Sequence, residues 1–199
     1  ICGSNMDFGQ LSYVVRHAGI GSAHRRYYRF RIPERSGALL HLLETFLDSV
    51  NIIEFQHGLT GEDMACPVIG IDAMPNQFAV LEEQLKNLGI EFEDATGDED
   101  VEFRIIRYDA SLIKRPCFIK IEFPERAGAL HDFLQDSCKG ASIVYFNYSY
   151  TGERVGRAMI GFDFESNEDR DAFRKRLAGS ETVLRDVREV SPEALDRMV

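Results

Sequence analysis

The chain repeats itself. Pro33-Glu34-Arg35-Ser36-Gly37-Ala38-Leu39 returns as Pro124-Glu125-Arg126-Ala127-Gly128-Ala129-Leu130, a shift of 91 residues (124 − 33). Without a gap, the same shift lays Ile52 on Ile143, Phe55 on Phe146, Thr60-Gly61-Glu62 on Thr151-Gly152-Glu153, Ile69-Gly70 on Ile160-Gly161 and Asp72 on Asp163. Coincidence does not hold register for so long, so the 199 residues divide into two copies of one small unit rather than forming one larger domain.

Periodicity predicts what each copy contains. Tyr28, Phe30 and Ile32 alternate with Tyr27, Arg29 and Arg31, and Ile119, Ile121 and Phe123 alternate with Phe118, Lys120 and Glu122, the pattern of a half-buried strand. After Pro33 and Pro124 the spacing becomes helical, through Ala38, Leu39, Leu42, Leu43, Phe46 and Leu47 in one copy and Ala129, Leu130, Phe133, Leu134 and Cys138 in the other. Two strands follow, near 52–57 and 66–72, then near 143–148 and 155–164, with Thr-Gly-Glu as the turn between them. A second helix carries Phe78, Leu81, Leu85 and Leu88, answered by Phe173 and Leu177, and short strands near 90–92 and 182–187 close the copies. Short helices are expected over 98–108 and from Ser191, with Ser191-Pro192-Glu193 as cap, first position and first-turn acid.

The order βαββαβ is that of an α+β, ferredoxin-like unit, two helices on one face of an antiparallel four-stranded sheet. Two such sheets set side by side would each hide an exposed edge and create a shared groove.

Composition narrows the partners. With 23 Lys+Arg against 33 Asp+Glu the formal charge is −10, and no basic stripe interrupts it, which argues against nucleic acid and anionic membrane. Cys2, Cys66, Cys117 and Cys138 lack metal or redox spacing, pointing to a reducing, cytoplasmic setting. His17, His24, His41 and His131 have no ligand partners at metal spacing, Gly19-Ile20-Gly21-Ser22 reads as linker rather than phosphate loop, and Asp94–Glu102 as a solvated acidic turn. No apolar run reaches the roughly 20 residues of a membrane helix. No signal peptide is seen, and the missing initiator methionine is taken as the mark of a cut fragment.

The tandem Pro-Glu-Arg-x-Gly-Ala-Leu motifs, Phe55-Gln56-His57 with Phe146-Asn147-Tyr148, and Val155-Gly156-Arg157 resemble the C-terminal regulatory region of biosynthetic threonine dehydratase, built from two ACT-like subdomains. The opening Ile1-Cys2-Gly3-Ser4-Asn5-Met6-Asp7-Phe8 independently resembles the end of that family's catalytic domain, where Cys2 would face the pyridine nitrogen of pyridoxal phosphate in the intact parent. The resemblance implies a division into 1–25 (end of the catalytic domain and linker), 26–110 and 111–199 (the two ACT-like subdomains), with no catalysis by the fragment alone. It implies isoleucine as end-product inhibitor, valine as antagonist, pyridoxal phosphate only in the parent, and a homo-oligomer, dimer or tetramer. The effector would act on the catalytic domain through Phe8–Ser22. A free-standing amino-acid sensor and an oligomerisation scaffold whose sites have decayed are the rival readings.

A branched-chain amino acid needs N–H donors for its carboxylate, an acceptor for its ammonium and an apolar pocket. Gly37 and Gly128, at the start of the first helix of each copy, offer those donors, although a tight turn with positive φ explains them equally well. The candidate effector residues are Glu34, Gly37, Ala38, Leu39, Phe55 and His57 in the first copy, and Glu125, Gly128, Ala129, Leu130, Phe146, Asn147, Tyr148 and Arg157 in the second. Tyr148 matches the effector-contacting tyrosine of the resembling family, whereas His57 and Gly58 depart from the family pattern. Local strand-end hydrogen bonding explains His57 and Tyr148 as readily, and a surface ion pair explains Arg157.

Overall fold

The computed structural model describes residues 18, 21, 23–35, 37–46, 50–102, 104–124, 130, 133, 134, 140–150, 155–179 and 186–195. Strand β1 (Arg25–Pro33) buries Tyr28, Phe30 and Ile32 on one face. Gly37, at φ 81°, turns the chain into helix α1 (Ala38–Phe46), which presses Leu39, Leu42 and Leu43 onto that face. Next come β2 (Asn51–Gly58), the two-residue β3 (Met64–Ala65) and β4 (Val68–Asp72). Helix α2 (Pro75–Asn87) opens with proline at its first turn, Met74 donating its N–H to Gln77 Oε1 at 2.8 Å, and packs through Phe78, Leu81 and Leu85; β5 (Glu91–Asp94) completes the copy.

A connection with the short α3 (Glu99–Glu102) and a 3-10 turn at Ala110–Leu112 leads to β6 (Cys117–Pro124). In the second copy Leu130, Phe133 and Leu134 are helical and buried, followed by β7 (Ala141–Ser149), β8 (Val155–Phe164), α4 (Asn167–Gly179), β9 (Asp186–Glu189) and α5 (Pro192–Leu195).

The strands run β5-β1-β4-β2-β7-β8-β6-β9, with β3 alongside the end of β1. Each half is thus the expected antiparallel ferredoxin-like sheet, and the two join edge to edge through β2 and β7. In the seam Gln56 faces Asn147, its own equivalent under the 91-residue shift (147 − 56), so a pseudo-twofold axis passes through that pair. Phe55 faces Tyr148, His57 faces Phe146, and the Phe55 and Phe146 rings lie 4.4 Å apart. Two symmetry-related hydrogen bonds close the seam's ends, Leu59 N–H to the Val144 carbonyl at 2.8 Å and Tyr150 N–H to the Ile53 carbonyl at 2.7 Å. Repeat logic extends to the other face, where Tyr27 lies across Gly70 and Phe118 across Gly161. A Cβ on either glycine would come within 2.7 Å and 2.5 Å of the ring, respectively.

Several local expectations shift. Leu88 ends up outside α2 and 62% exposed, because the chain turns at Leu88-Gly89, where Gly89 has φ 69°. Cys66 is exposed and, with Pro67, separates β3 from β4, although both strands pair with β1 in one register and the Phe30 N–H still donates to the Pro67 carbonyl at 2.9 Å. The helix expected over 98–108 is only α3, after which Arg104 takes a positive φ of 56° and the chain runs irregularly. The long helices share one face as expected, but the opposite face is covered too. Val101 packs with Tyr27, Val68 and Ala95, while Ile106, Tyr108, Ile113, Ala194 and Leu195 pack around Phe118 and Tyr145. Ser191 does cap α5, its Oγ accepting the Ala194 N–H at 3.3 Å. The turn at 151–153 and residues 182–185 lie outside the described residues.

Candidate functional site

Edge-to-edge pairing places the end of β2 and the start of β7 beside the loop joining β1 to α1. Between them lies a cavity of about 210 Å³. Its first-copy wall is the repeated motif itself, Glu34, Arg35, Gly37, Ala38 and Leu39, with Ile32 and His57; the opposite wall is Ala141–Val144 and Asp163 of the second copy. This is smaller than the roughly 300–1,000 Å³ of pockets for drug-sized ligands and suits a molecule of amino-acid size. Gly37 is required by its backbone, because its φ is 81° while a Cβ there would meet no atom within 4 Å. The start of α1, Ala38 to Leu40, lies on the cavity wall, and the Ala38 N–H donates to the Arg35 carbonyl at 3.2 Å.

The polar fittings are specific. Glu34 Oε1 accepts the Thr60 N–H at 3.1 Å, while Asp163 Oδ1 accepts the Arg115 N–H at 2.6 Å. His57 is 6% exposed, and burial pushes its pKa down to about 4 against an opposing hydrogen bond to the Ile143 main chain, so the imidazole is neutral near pH 7. An uncharged ring leaves the cavity free of a buried cation.

Of the sequence-derived candidates, Glu34, Gly37, Ala38, Leu39 and His57 line this cavity. Phe55, Phe146, Tyr148 and Leu130 belong to the continuous core under the helices, Tyr148 with its ring 5.4 Å from that of Phe123. Asn147 points to the other face of the sheet, where its Oδ1 accepts from Arg104. Arg157 stands on the exposed side of β8, its side chain 61% accessible and paired with Glu122 at 3.0 Å, away from the cavity. Glu125, Gly128, Ala129 and Cys2 lie outside the described residues. Among the described residues no cluster of three or more His, Cys, Asp or Glu is placed to hold a metal, and no helix is long and apolar enough to cross a membrane.

Sequence reasoning missed the far wall, Ser142, Ile143 and Asp163, because it belongs to the other copy. It also missed a polar staple on the opposite face of the seam. There Arg104 donates to Glu54 in the first half and to Asn147 and the Tyr148 carbonyl, at 3.0 Å to the latter, in the second, and Gln56 Nε2 donates to Glu54 Oε1 and the Val101 carbonyl, each at 2.9 Å. The available signal was Glu54, a charge set between the apolar Ile52-Ile53 and Phe55.

Comparison with known proteins bears on this arrangement. A family model described as the C-terminal regulatory domain of threonine dehydratase matches residues 16–105 and 110–194, one match per copy. The biosynthetic L-threonine dehydratase of Pasteurella multocida is 29% identical over 95% of this chain and 37% of its own length; the chloroplastic biosynthetic threonine dehydratase of Arabidopsis thaliana is 24% identical over 83% and 28%. The chain therefore spans about a third of the curated relatives it matches. Among solved structures, the ligand-free regulatory subunit of aspartate kinase from Thermus thermophilus overlaps 80% of this chain and 93% of its own at 13% identity and a TM-score of 0.31, too loose a likeness to weigh in the assignment. On this double match, which covers most of the chain, the chain belongs to the family of C-terminal regulatory domains of threonine dehydratase.

Proposed function

We propose that this chain is the effector-sensing part of a threonine dehydratase that converts threonine to 2-oxobutanoate and ammonia, binding isoleucine as feedback inhibitor and valine as antagonist. The observation that carries the reading is the seam cavity, one wall from each copy, with the repeated Pro-Glu-Arg-x-Gly-Ala-Leu loop on one side. A ligand held there touches both halves at once, so its binding free energy depends on how they sit. That dependence is the requirement for shifting a population between two arrangements. A differential affinity worth about 1–3 kcal/mol would change catalytic output 5- to 150-fold if transmitted through Phe8–Ser22.

The pyridoxal phosphate that serves the chemistry would be held mainly by parent sequence outside this chain, which would act within a cytoplasmic homo-oligomer. The division at about 25 and 110 is retained as part of this proposal. Titration of the chain with isoleucine by calorimetry should give saturable heat, displaced or altered by valine. No heat at millimolar isoleucine would remove the reading.

A further inference from the structure

We propose that Arg104 is a positioning residue that holds the two halves together from the face of the sheet opposite the cavity, and through β2 and β7 fixes how the cavity's walls stand to each other. Its backbone takes φ 56°, a conformation that is costly for a residue with a side chain and persists where the surroundings over-determine it. The guanidinium supplies that determination. It donates to Glu54 Oε1 on β2 and to Asn147 Oδ1 and the Tyr148 carbonyl on β7, so one side chain grips both strands of the seam. The connection that carries it is seated just as closely. A Cβ on Gly58 would run into the Arg107 carbonyl, and the Asp109 N–H donates to the Leu59 carbonyl at 2.9 Å.

The second copy shows what packing alone requires at this place. Under the 91-residue shift Glu54 and Arg104 become Tyr145, in the apolar cluster with Phe118 and Val190, and Leu195, packed against that cluster. The same position in the fold is thus filled without charge, and a buried ion pair is weak evidence for stability, because taking two charges out of water offsets much of their attraction. What Arg104 has and Leu195 lacks is a planar fork of donors that reaches across the seam. The strands link that fork to the cavity. Gln56, which donates to Glu54, directly precedes His57 of one wall, and Asn147 lies on β7 with Ile143 and Val144 of the other. A splay of β2 from β7 would move both walls, and Arg104 opposes it whichever molecule the cavity takes, so the assignment stands apart from the sensor reading.

The test is backbone hydrogen exchange on the full chain, which reads each pair of strands separately. Arg104→Lys keeps a positive charge beside Glu54 and gives up the fork. The amides that bond across the seam, those of Leu59 and Tyr150 included, should then exchange about 10-fold faster or more, while those of β1 and β6 hold within about twofold. Unchanged seam rates, or the same acceleration in β1 and β6, would overturn the proposal. The double variant Glu54→Tyr/Arg104→Leu, which copies the second half, should fold and still exchange fast along the seam. Return of wild-type protection there would show that a packed pair suffices, and overturns the proposal as well. If the double variant does not fold, as judged by circular dichroism, Arg104→Lys decides alone. If neither folds, Asn147→Ala, which withdraws an acceptor from the second half only, is held to the same criterion.

Discussion

The two ends of the β2–β7 seam descend from one motif and are fitted out differently. Under the 91-residue shift His57 corresponds to Tyr148 and Asp163 to Asp72. At one end His57 borders an open cavity and is stripped of charge, and Asp163 receives a main-chain N–H from Arg115. At the other end Tyr148 is packed into the core, and Asp72 meets the Arg25 side chain at 3.4 Å. The staple adds further asymmetry: Arg104 crosses the seam from the first copy's side, and its counterpart under the shift is Leu195. The packed pair Phe55 and Phe146 is the same residue in both copies, whereas His57 and Tyr148 beside it differ.

The shared part breaks most easily. Phe55→Ala and Phe146→Ala should each cost about 3–5 kcal/mol in urea denaturation, and by similar amounts if the halves are equivalent at the seam. A large inequality would show that one half carries the core. Arg104→Ala should cost about 3 kcal/mol or more, since it leaves the Glu54 carboxylate, 3% accessible, buried without its cation, whereas Leu195→Ala should cost less.

His57 sharpens the comparison through pH. Its folded pKa of about 4 lies below the ordinary value of 6.5, so as pH falls the unfolded chain takes up the proton first. The contribution is whole above pH 6.5, declines between 6.5 and 4, and is gone below 4, a span worth about 3 kcal/mol. His57→Tyr, which installs the second half's residue, should flatten that stretch of the stability–pH curve; an unchanged slope would place the titrating group elsewhere. The smallest effect belongs to Arg157→Ala. Its pair with Glu122 is mostly exposed, so stability should change by about 0–1 kcal/mol and isoleucine affinity should hold.

Much of this could be read in advance from residues such as Tyr28, Phe30 and Ile32, whose spacing allows only one buried face. Half the cavity could be read too, since Glu34, Gly37 and Leu39 stand together in the repeat. Its other half could not, because Ser142 and Asp163 approach that loop only after β2 and β7 have found each other. Arg157 illustrates the reverse: close in sequence to the repeated motifs, it stands on the exposed side of β8, paired with Glu122 and apart from the cavity. The staple escaped notice because Arg104 sits in an irregular connection with no period to interpret.

Sequence by itself determined the unit, its duplication and the hydrophobic face of each strand, since these follow from local spacing and from the repeat of that spacing. Tertiary structure decided how the units meet, which loop faces which strand, that His57 is neutral and that Arg104 reaches both halves. Those properties depend on distance and on the exclusion of water, and both are set only when segments remote along the chain have packed.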